Sequence, residues 1–399
     1  MVVCGWQAMV CPSSVLLYFN SVFCLQRSIH EIDVFAHIFL PMFFRTIFVD
    51  FALYTSIARK PSLVVLQSAK DRVCVLQSTD EFQAESAKLA SSLGLDVVVE
   101  GDIAIGLRPE NESFSSVPWE FALVIEPYFL SESALNPLTY AVGVKSLQKS
   151  IPPSRNASRR KPSKSNTSKP FYVDFCPPTG TRLKRRIKGG GDLLAKAVGP
   201  RKGVFSQQDG AIIYDLTAGL GQDALLLANA GAKKVVMFER NPIVGALLKD
   251  ALRRLDCLAG GLDSTTIPED LRSEAEILSR KLFVQVADGQ ESLATRGSSL
   301  AEEFGRCDII YLDPMFPTRT KSASVKKNMQ ILQALLESQV VDEDAREADE
   351  QLLLKTALQY ARHRVVVKRP VSAPFLGGSS TPSHDIRGTT SRWDVYATN

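Results

Sequence analysis

Two stretches of the chain concentrate groups that could handle a ligand: IIYDLTAGLGQDA at 212–224 and IIYLDPMFP at 309–317. In the first, Gly219, Gly221 and Ala224 satisfy GxGxxA immediately after an apolar run, and Glu239 closes the next apolar run twenty residues beyond Gly219. Glycines at that spacing allow a tight turn and close backbone approach to a nucleotide cofactor, and the acid can accept from ribose hydroxyls. Taken alone, the pattern admits NAD, a flavin or S-adenosylmethionine. Asp223 separates them. A helix start holds a pyrophosphate through its backbone N–H groups and dipole, and a carboxylate in that first turn repels it. S-adenosylmethionine brings a sulfonium and an ammonium instead, which Asp215 and Asp223 would attract. The plain alternative for Asp223 is a first-turn acid stabilised by the helix dipole. Glu239 then suits the ribose, and Asp288 with Gly289, after the following strand, suits an adenine edge. An acid at such a strand end is also an ordinary turn residue.

The second stretch ends in Asp313-Pro314-Met315-Phe316-Pro317. Its two prolines fix the backbone and stop the strand. What they present is a carboxylate, the Pro314 carbonyl and an aromatic ring. A flat base with an exocyclic amino group needs those three things: Phe316 to stack on, and two acceptors that take the amino hydrogens and aim the nitrogen lone pair. Such an amine is a poor nucleophile because its lone pair is delocalised, so acceptors that favour its reactive geometry act on the transition state. The competing account is a rigid turn with Phe316 in the core.

These motifs need a scaffold, and the chain alternates in the way that supplies one. Strands IIYDL, KVVMFE, LFVQVA and DIIYLD are each followed by a helix (QDALLLANAG, NPIVGALLKDALRRL, a segment near 289–304, VKKNMQILQALLES), before RVVVKR and a last strand WDVYAT. Strands separated by helices of this length predict an α/β fold, a mostly parallel sheet covered on both faces, with its crevice at the carboxyl ends of the strands. Upstream, LVVLQ, RVCVLQ, the helix DEFQAESAKLASSLG, and strands around DVVVEG, IAIGL and EFALVIE predict a small α/β domain. The expected organisation is an apolar extension at 1–60, a small domain at 61–148, a Ser/Pro/Lys-rich linker or insertion at 149–170, and a catalytic domain at 171–399.

Charge is uneven. Residues 151–202 hold fourteen Lys or Arg against two acids, a local +12 in a chain of net +4. Three basic clusters flank the expected crevice: Arg182, Lys184, Arg185, Arg186 and Lys188; Arg319, Lys321, Lys326 and Lys327; Lys368 and Arg369. Single clusters are usually solvated faces, but three around one crevice suit an RNA phosphate track. The seven cysteines form no CxxC pair and the four histidines are scattered, so no metal site is expected. Residues 1–30 carry one Lys or Arg, Arg27, and no acid, beside the apolar VLLYFNSVFCL. A targeting segment is one reading of them, and a stable membrane span is disfavoured by Pro12, Ser13, Ser14 and Asn20.

The segments YVDF, KGGGDLLAKAVG, DLTAGLGQDALLLANAG, ERNPIVGALL, YLDPMFP, KSASVKK, RVVVKRP and WDVYA, in this order, closely resemble the bacterial 16S ribosomal RNA guanine-N2 methyltransferases of the small subunit methyltransferase J family. The resemblance runs from about Arg72 to Ala397. It implies a class I methyltransferase fold (Rossmann-like), S-adenosylmethionine as donor, and a guanine N2 in small-subunit ribosomal RNA, or in a small-subunit assembly particle, as acceptor. By motif it places the cofactor on Gln222, Asp223, Glu239, Arg240, Asp288, Gly289 and Asp313. The chain departs from the family at Asp288-Gly289, where serines are expected, in its first sixty residues, and in the linker. The family's setting is the cytoplasm, and the extension adds a plastid or mitochondrial matrix as an address. The readings that compete with this one are an NAD-dependent oxidoreductase using the glycine loop and a non-catalytic RNA-binding assembly factor.

Overall fold

The computed structural model describes residues 73–77, 79–99, 120–129, 139–147, 170–176, 191–199, 210–260, 267–314, 343–376, 378 and 380–398. The N-terminal extension, the linker apart from Pro170, the strands expected at LVVLQ and IAIGL, and the helix expected at VKKNMQILQALLES lie outside them.

The larger sheet has seven strands: β5 (Ile212–Asp215), β6 (Lys234–Phe238), β7 (Leu282–Gln285), β8 (Ile309–Leu312), β9 (Arg364–Pro370), β10 (His384–Arg387) and β11 (Ser391–Ala397). Their order is β10-β11-β9-β8-β5-β6-β7. β5 to β9 are parallel, while β11 runs antiparallel to β9 and to β10. The chain moves outward from β5 through β6 to β7, then crosses to β8 on the other side. That reversal beside β5 opens a crevice at the carboxyl ends of β5 and β8.

The helices joining these strands are α2 (Gly191–Val198), α3 (Gln222–Asn229), α4 (Pro242–Gly260), α5 (Glu269–Ser279), α6 (Gly289–Phe304) and α7 (Glu343–Tyr360). α4 buries Ile243, Leu247, Leu248, Ala251, Leu255 and Leu258, the three- and four-residue spacing that gives a helix one apolar face. The buried side chains form two clusters, one on each side of the sheet. Leu225, Leu248 and Leu278 of α3, α4 and α5 share one with Ile213, Val235 and Tyr311. Leu293, Leu300 and Leu354 of α6 and α7 share the other with Tyr214, Val236 and Ile310. The sheet is thus covered on both faces. α2, α5, α7 and β10 have no counterpart among the elements expected from the sequence; α5 lies between α4 and β7.

A second sheet, ordered β2-β1-β3-β4, contains β1 (Val73–Gln77), β2 (Val97–Val99), β3 (Phe121–Tyr128) and β4 (Thr139–Ser146). Helix α1 (Gln83–Leu93), preceded by a 3-10 turn at Asp80–Phe82, stops on Gly94, whose left-handed φ of 63° favours glycine. β1 is buried on both faces: Val73 and Val75 join the cluster containing α4, while Cys74 and Leu76 face Ala122 and Val124.

Polar contacts as well as apolar ones bind this sheet to α4. The fully buried Arg254 donates to Asp250 at 2.9 Å, to Asp174 at 3.0 Å and to the Val173 carbonyl, and its guanidinium lies 4.5 Å from the Tyr128 ring. Arg253 donates to Thr139 at 2.7 Å and to the Tyr140 carbonyl, over the Tyr140 ring. A buried guanidinium survives only with its donors matched, and removing one partner leaves the other charge stranded. Among the described residues no helix is long and apolar enough to cross a membrane.

Arg254→Ala is expected to lower unfolding free energy by about 3–5 kcal/mol, measured by urea denaturation. Combining it with Asp250→Ala should cost clearly less than the sum of the two single losses. A single-variant loss within experimental error of zero would contradict this account of the joint.

Candidate functional site

β5 ends at Asp215 and β8 at Leu312, one residue before Asp313. In the parallel pair β8 and β9, Tyr311 faces Val366 and Leu312 faces Val367, so the next step of the register brings Asp313 beside Lys368. Side chains two apart on a strand share a face. Tyr311, Asp313 and Lys368 therefore address the same region, into which α3 projects Asp223.

The result is a compact charged cluster. Lys368 Nζ donates to Asp223 Oδ2 at 2.6 Å and to Asp313 Oδ2 at 2.8 Å. The Tyr311 hydroxyl donates to the same Asp223 oxygen at 2.7 Å. Asp215, nearly fully buried, accepts from the Thr217 N–H at 3.1 Å, and the Asp313 N–H donates to the Thr217 hydroxyl at 2.6 Å. Burial pushes the Asp215 carboxyl well above the usual carboxylate range; the Thr217 N–H opposes this, and Asp223 and Asp313 add to it. Desolvation also raises Asp313, against the opposing effect of Lys368. Burial works to lower the Lys368 ammonium, and Asp313 and Asp223 together outweigh it, so it is held above its ordinary value.

The glycine loop adjoins this cluster. Gly219 and Gly221 have φ of 52° and 67°, a region that side chains with a Cβ rarely enter. They differ in their surroundings. A Cβ on Gly221 would lie 2.5 Å from Phe175 and 3.0 Å from Leu248, so this glycine is required by packing. Among the described residues, a Cβ on Gly219 would meet nothing nearer than the Thr217 carbonyl oxygen at 4.0 Å, so the backbone there borders open space. Gln222 and Asp223 begin α3.

Glu239 follows β6 and is buried. Its Oε2 accepts from the Gly219 N–H at 2.9 Å and its Oε1 from the Asn241 N–H at 2.7 Å. Burial raises its carboxyl to about 7, against those two hydrogen bonds. Each oxygen keeps a second lone pair, so the group can tie the loop and still accept from a ligand. Asn241 in turn accepts from Ile243 and Val244 N–H at 2.9 and 3.2 Å, starting α4. Arg240 between them is exposed.

Several sequence expectations change here. Lys368 and Arg369, expected on a phosphate track, both turn into the protein, on opposite faces of β9 as strand alternation requires. Arg369 pairs with Glu350 of α7 at 3.5 Å and donates to the Pro374 carbonyl at 3.3 Å. Asp288 caps α6, its Oδ1 accepting from the Glu291 N–H at 3.0 Å. Gly289 is buried, and a Cβ on it would lie 2.9 Å from Leu216 Cβ, so it allows close packing of the α6 start. Pro314 continues from Asp313. Met315, Phe316, Pro317, Arg319, Lys321, Lys326 and Lys327 lie outside the described residues, as do Arg182, Lys184, Arg185, Arg186 and Lys188. The sequence reading missed Tyr311, Thr217 and Asn241. Asn-Pro at a helix start signals Asn241, and the two-residue spacing from Asp313 signals Tyr311.

Comparison with known proteins gives this crevice a context. Residues 155–398 match the family model described as "Putative SAM-dependent methyltransferase". The ribosomal RNA small subunit methyltransferase J of Cellvibrio japonicus is 41% identical over 214 residues, 53% of this chain and 70% of the relative. That of Coxiella burnetii (strain Dugway 5J108-111) is 40% identical over 231 residues, 57% and 74% of the two chains. That of Erwinia tasmaniensis is 39% identical over 229 residues, 57% and 77%.

Glu239 makes stability depend on pH. Its folded value of about 7 exceeds the value of about 4.3 for an unperturbed Glu. Stabilisation by its proton is therefore fully present below the unfolded value and is lost as pH rises to the folded one. Glu239→Gln removes this titration. Between pH 4.5 and 7.5, wild type should lose roughly 3 kcal/mol relative to the variant, measured as the difference between urea melts. A constant difference would exclude the assignment.

Proposed function

This chain belongs to the ribosomal RNA small subunit methyltransferase J family, and on that premise we propose that it transfers a methyl group from S-adenosylmethionine to the exocyclic N2 amine of a guanine in small-subunit ribosomal RNA. The observation that carries the reading is the meeting of Asp223 and Asp313 on one ammonium in the crevice beside β5. The residues fit such a donor. Open space beside Gly219 admits a nucleoside against the backbone, Glu239 stands at the end of β6 for ribose hydroxyls, and the acids around Lys368 suit a cationic ligand.

When bound, S-adenosylmethionine supplies a methyl carbon on a good leaving group. The protein's part is to orient the amine. Asp313 and the Pro314 carbonyl accept its two hydrogens, and Phe316 stacks on the base. Held in this way, the nitrogen lone pair would point at the methyl carbon, which the sulfonium would release with its C–S electron pair, and the surplus proton of the amine would leave to water. Acceptors set for this geometry stabilise the transition state more than the ground state. Gln222, Asp223, Glu239, Arg240, Asp288 and Gly289 are proposed for the donor side.

A base reaching Phe316 has to leave its stack, which favours a single-stranded loop or a partly assembled small-subunit particle over a continuous duplex. The basic residues at 182–188 and 319–327 are proposed to hold the phosphates.

Asp313→Ala should reduce transfer of tritiated methyl to small-subunit ribosomal RNA by roughly 100-fold or more while S-adenosylhomocysteine still binds in calorimetry. Nucleoside mass spectrometry of wild-type product should find N2-methylguanosine. Full activity in the variant would refute the role given to Asp313, and a different methylated nucleoside would refute the choice of N2.

A further inference from the structure

We propose that Lys368 is a positioning residue for this methyl transfer: by holding Oδ2 of both Asp313 and Asp223, its ammonium orients the Asp313 carboxylate and keeps it an acceptor for the incoming amine. The inference deepens the reading above and rests on it. Its basis is geometric. Lys368 lies on β9, and parallel register with β8 sets it beside Asp313. Its Nζ is 2.8 Å from Asp313 Oδ2 and 2.6 Å from Asp223 Oδ2. Among the described residues no donor meets Asp313 Oδ1, so the bridge takes one carboxylate oxygen and leaves the other to a ligand. The Lys368 side chain is only 24% exposed, against 39% for Asp313. The ammonium sits behind the carboxylate, while the carboxylate borders the crevice.

The electrostatics give this placement its consequence. The groups facing one another are Asp215 from β5, Asp223 from α3, Tyr311 from β8, Asp313 after β8 and Lys368 from β9, with Arg369 close enough to act on Asp313. Without Lys368, three carboxyl groups would share the region, and like charges at short range drive one of them to take a proton. Desolvation already raises Asp313 with Lys368 in place. A protonated Asp313 loses acceptor capacity and its O–H becomes a donor facing the donor hydrogens of the amine. Lys368 prevents this without touching the substrate, and its second contact, to Asp223, fixes the distance between α3 and the end of β8.

The test compares wild type, Lys368→Met and Lys368→Arg by two measurements. The first is the pH dependence of single-turnover methylation of small-subunit ribosomal RNA. The second needs no turnover: carboxyl titration of protein labelled with 13Cγ-aspartate, with the Asp313 resonance identified by its loss in Asp313→Asn. In Lys368→Met, the Asp313 midpoint and the rising limb of the rate profile should both move up by about one pH unit or more. The rate deficit should be largest at low pH and narrow at high pH. Lys368→Arg, which keeps the charge, should return both toward wild type. An unchanged Asp313 midpoint in the Met variant, with a rate lowered equally at every pH, would overturn the inference. If Lys368→Met does not fold, Lys368→Gln carries the same two readings. If wild-type protein transfers no methyl to the RNA, the proposed function fails, while the Asp313 midpoint still decides whether Lys368 controls that carboxylate.

Discussion

A single ammonium placed among three carboxyl groups is the constraint around which this crevice is organised. Asp215, Asp223 and Asp313 come from a strand end, a helix start and a proline-stopped turn, and Lys368 contacts two of them directly. The elements cannot shift independently without breaking a short, largely desolvated contact. What sets the ammonium there is the register of β8 against β9, since a one-residue slip would turn Lys368 to the opposite face and bring Arg369 into its place. The topology thus decides the charge of the site as well as its location.

A second buried network joins the four-stranded sheet to the crevice. Arg253 and Arg254, near the middle of α4, bind β4 and the segment containing Val173 and Asp174. The same helix begins directly after Asn241, whose N–H donates to Glu239. Phe175 packs where a Cβ on Gly221 would lie. The segment bridged to the smaller sheet at Phe171 thus packs Phe175 against the glycine loop, and β4 holds the middle of the helix that starts after Glu239 and Asn241. The smaller sheet's role in positioning follows from these contacts, although its own strands supply none of the site's acids.

Much of the fold was legible because its parallel strands are short apolar runs separated by amphipathic helices, and such strands are buried on both faces. IIYD, KVVMF and IIYL lie within a residue of the expected segments. α7 was not legible: its stretch carries many acids and shows no strong apolar stripe, so periodicity gave no signal, and its packing on β9 is tertiary. Within the site, motif spacing identified the acids, since the backbone turns that carry them are local. The partner of those acids was misassigned. Lys368 and Arg369 look alike in the string KRP, and only strand alternation and pairing reveal that one enters the crevice and the other meets Glu350 behind the sheet. Charge clusters in a sequence record composition, whereas burial and register determine what each charge meets.

The position of Lys368 tempers the negative charge at Asp223 without cancelling it. A bare carboxylate in the first turn of α3 would repel a pyrophosphate strongly, but Lys368 and the Tyr311 hydroxyl already satisfy one of its oxygens. The discrimination therefore belongs to the cluster. One ammonium set against the carboxylates Asp223 and Asp313 leaves an excess of negative charge, and the buried Asp215 can add to it only by ionising against the cost of its burial. Bringing in a phosphate would add charge of the same sign to a desolvated site, where Coulomb terms are larger than in water. A cationic ligand relieves that excess instead, and the open backbone at Gly219 lets it approach without displacing any of the described side chains. The preference for a positively charged cofactor over a dinucleotide thus rests on the net charge of four side chains held by register, a firmer basis than one acid at a helix start.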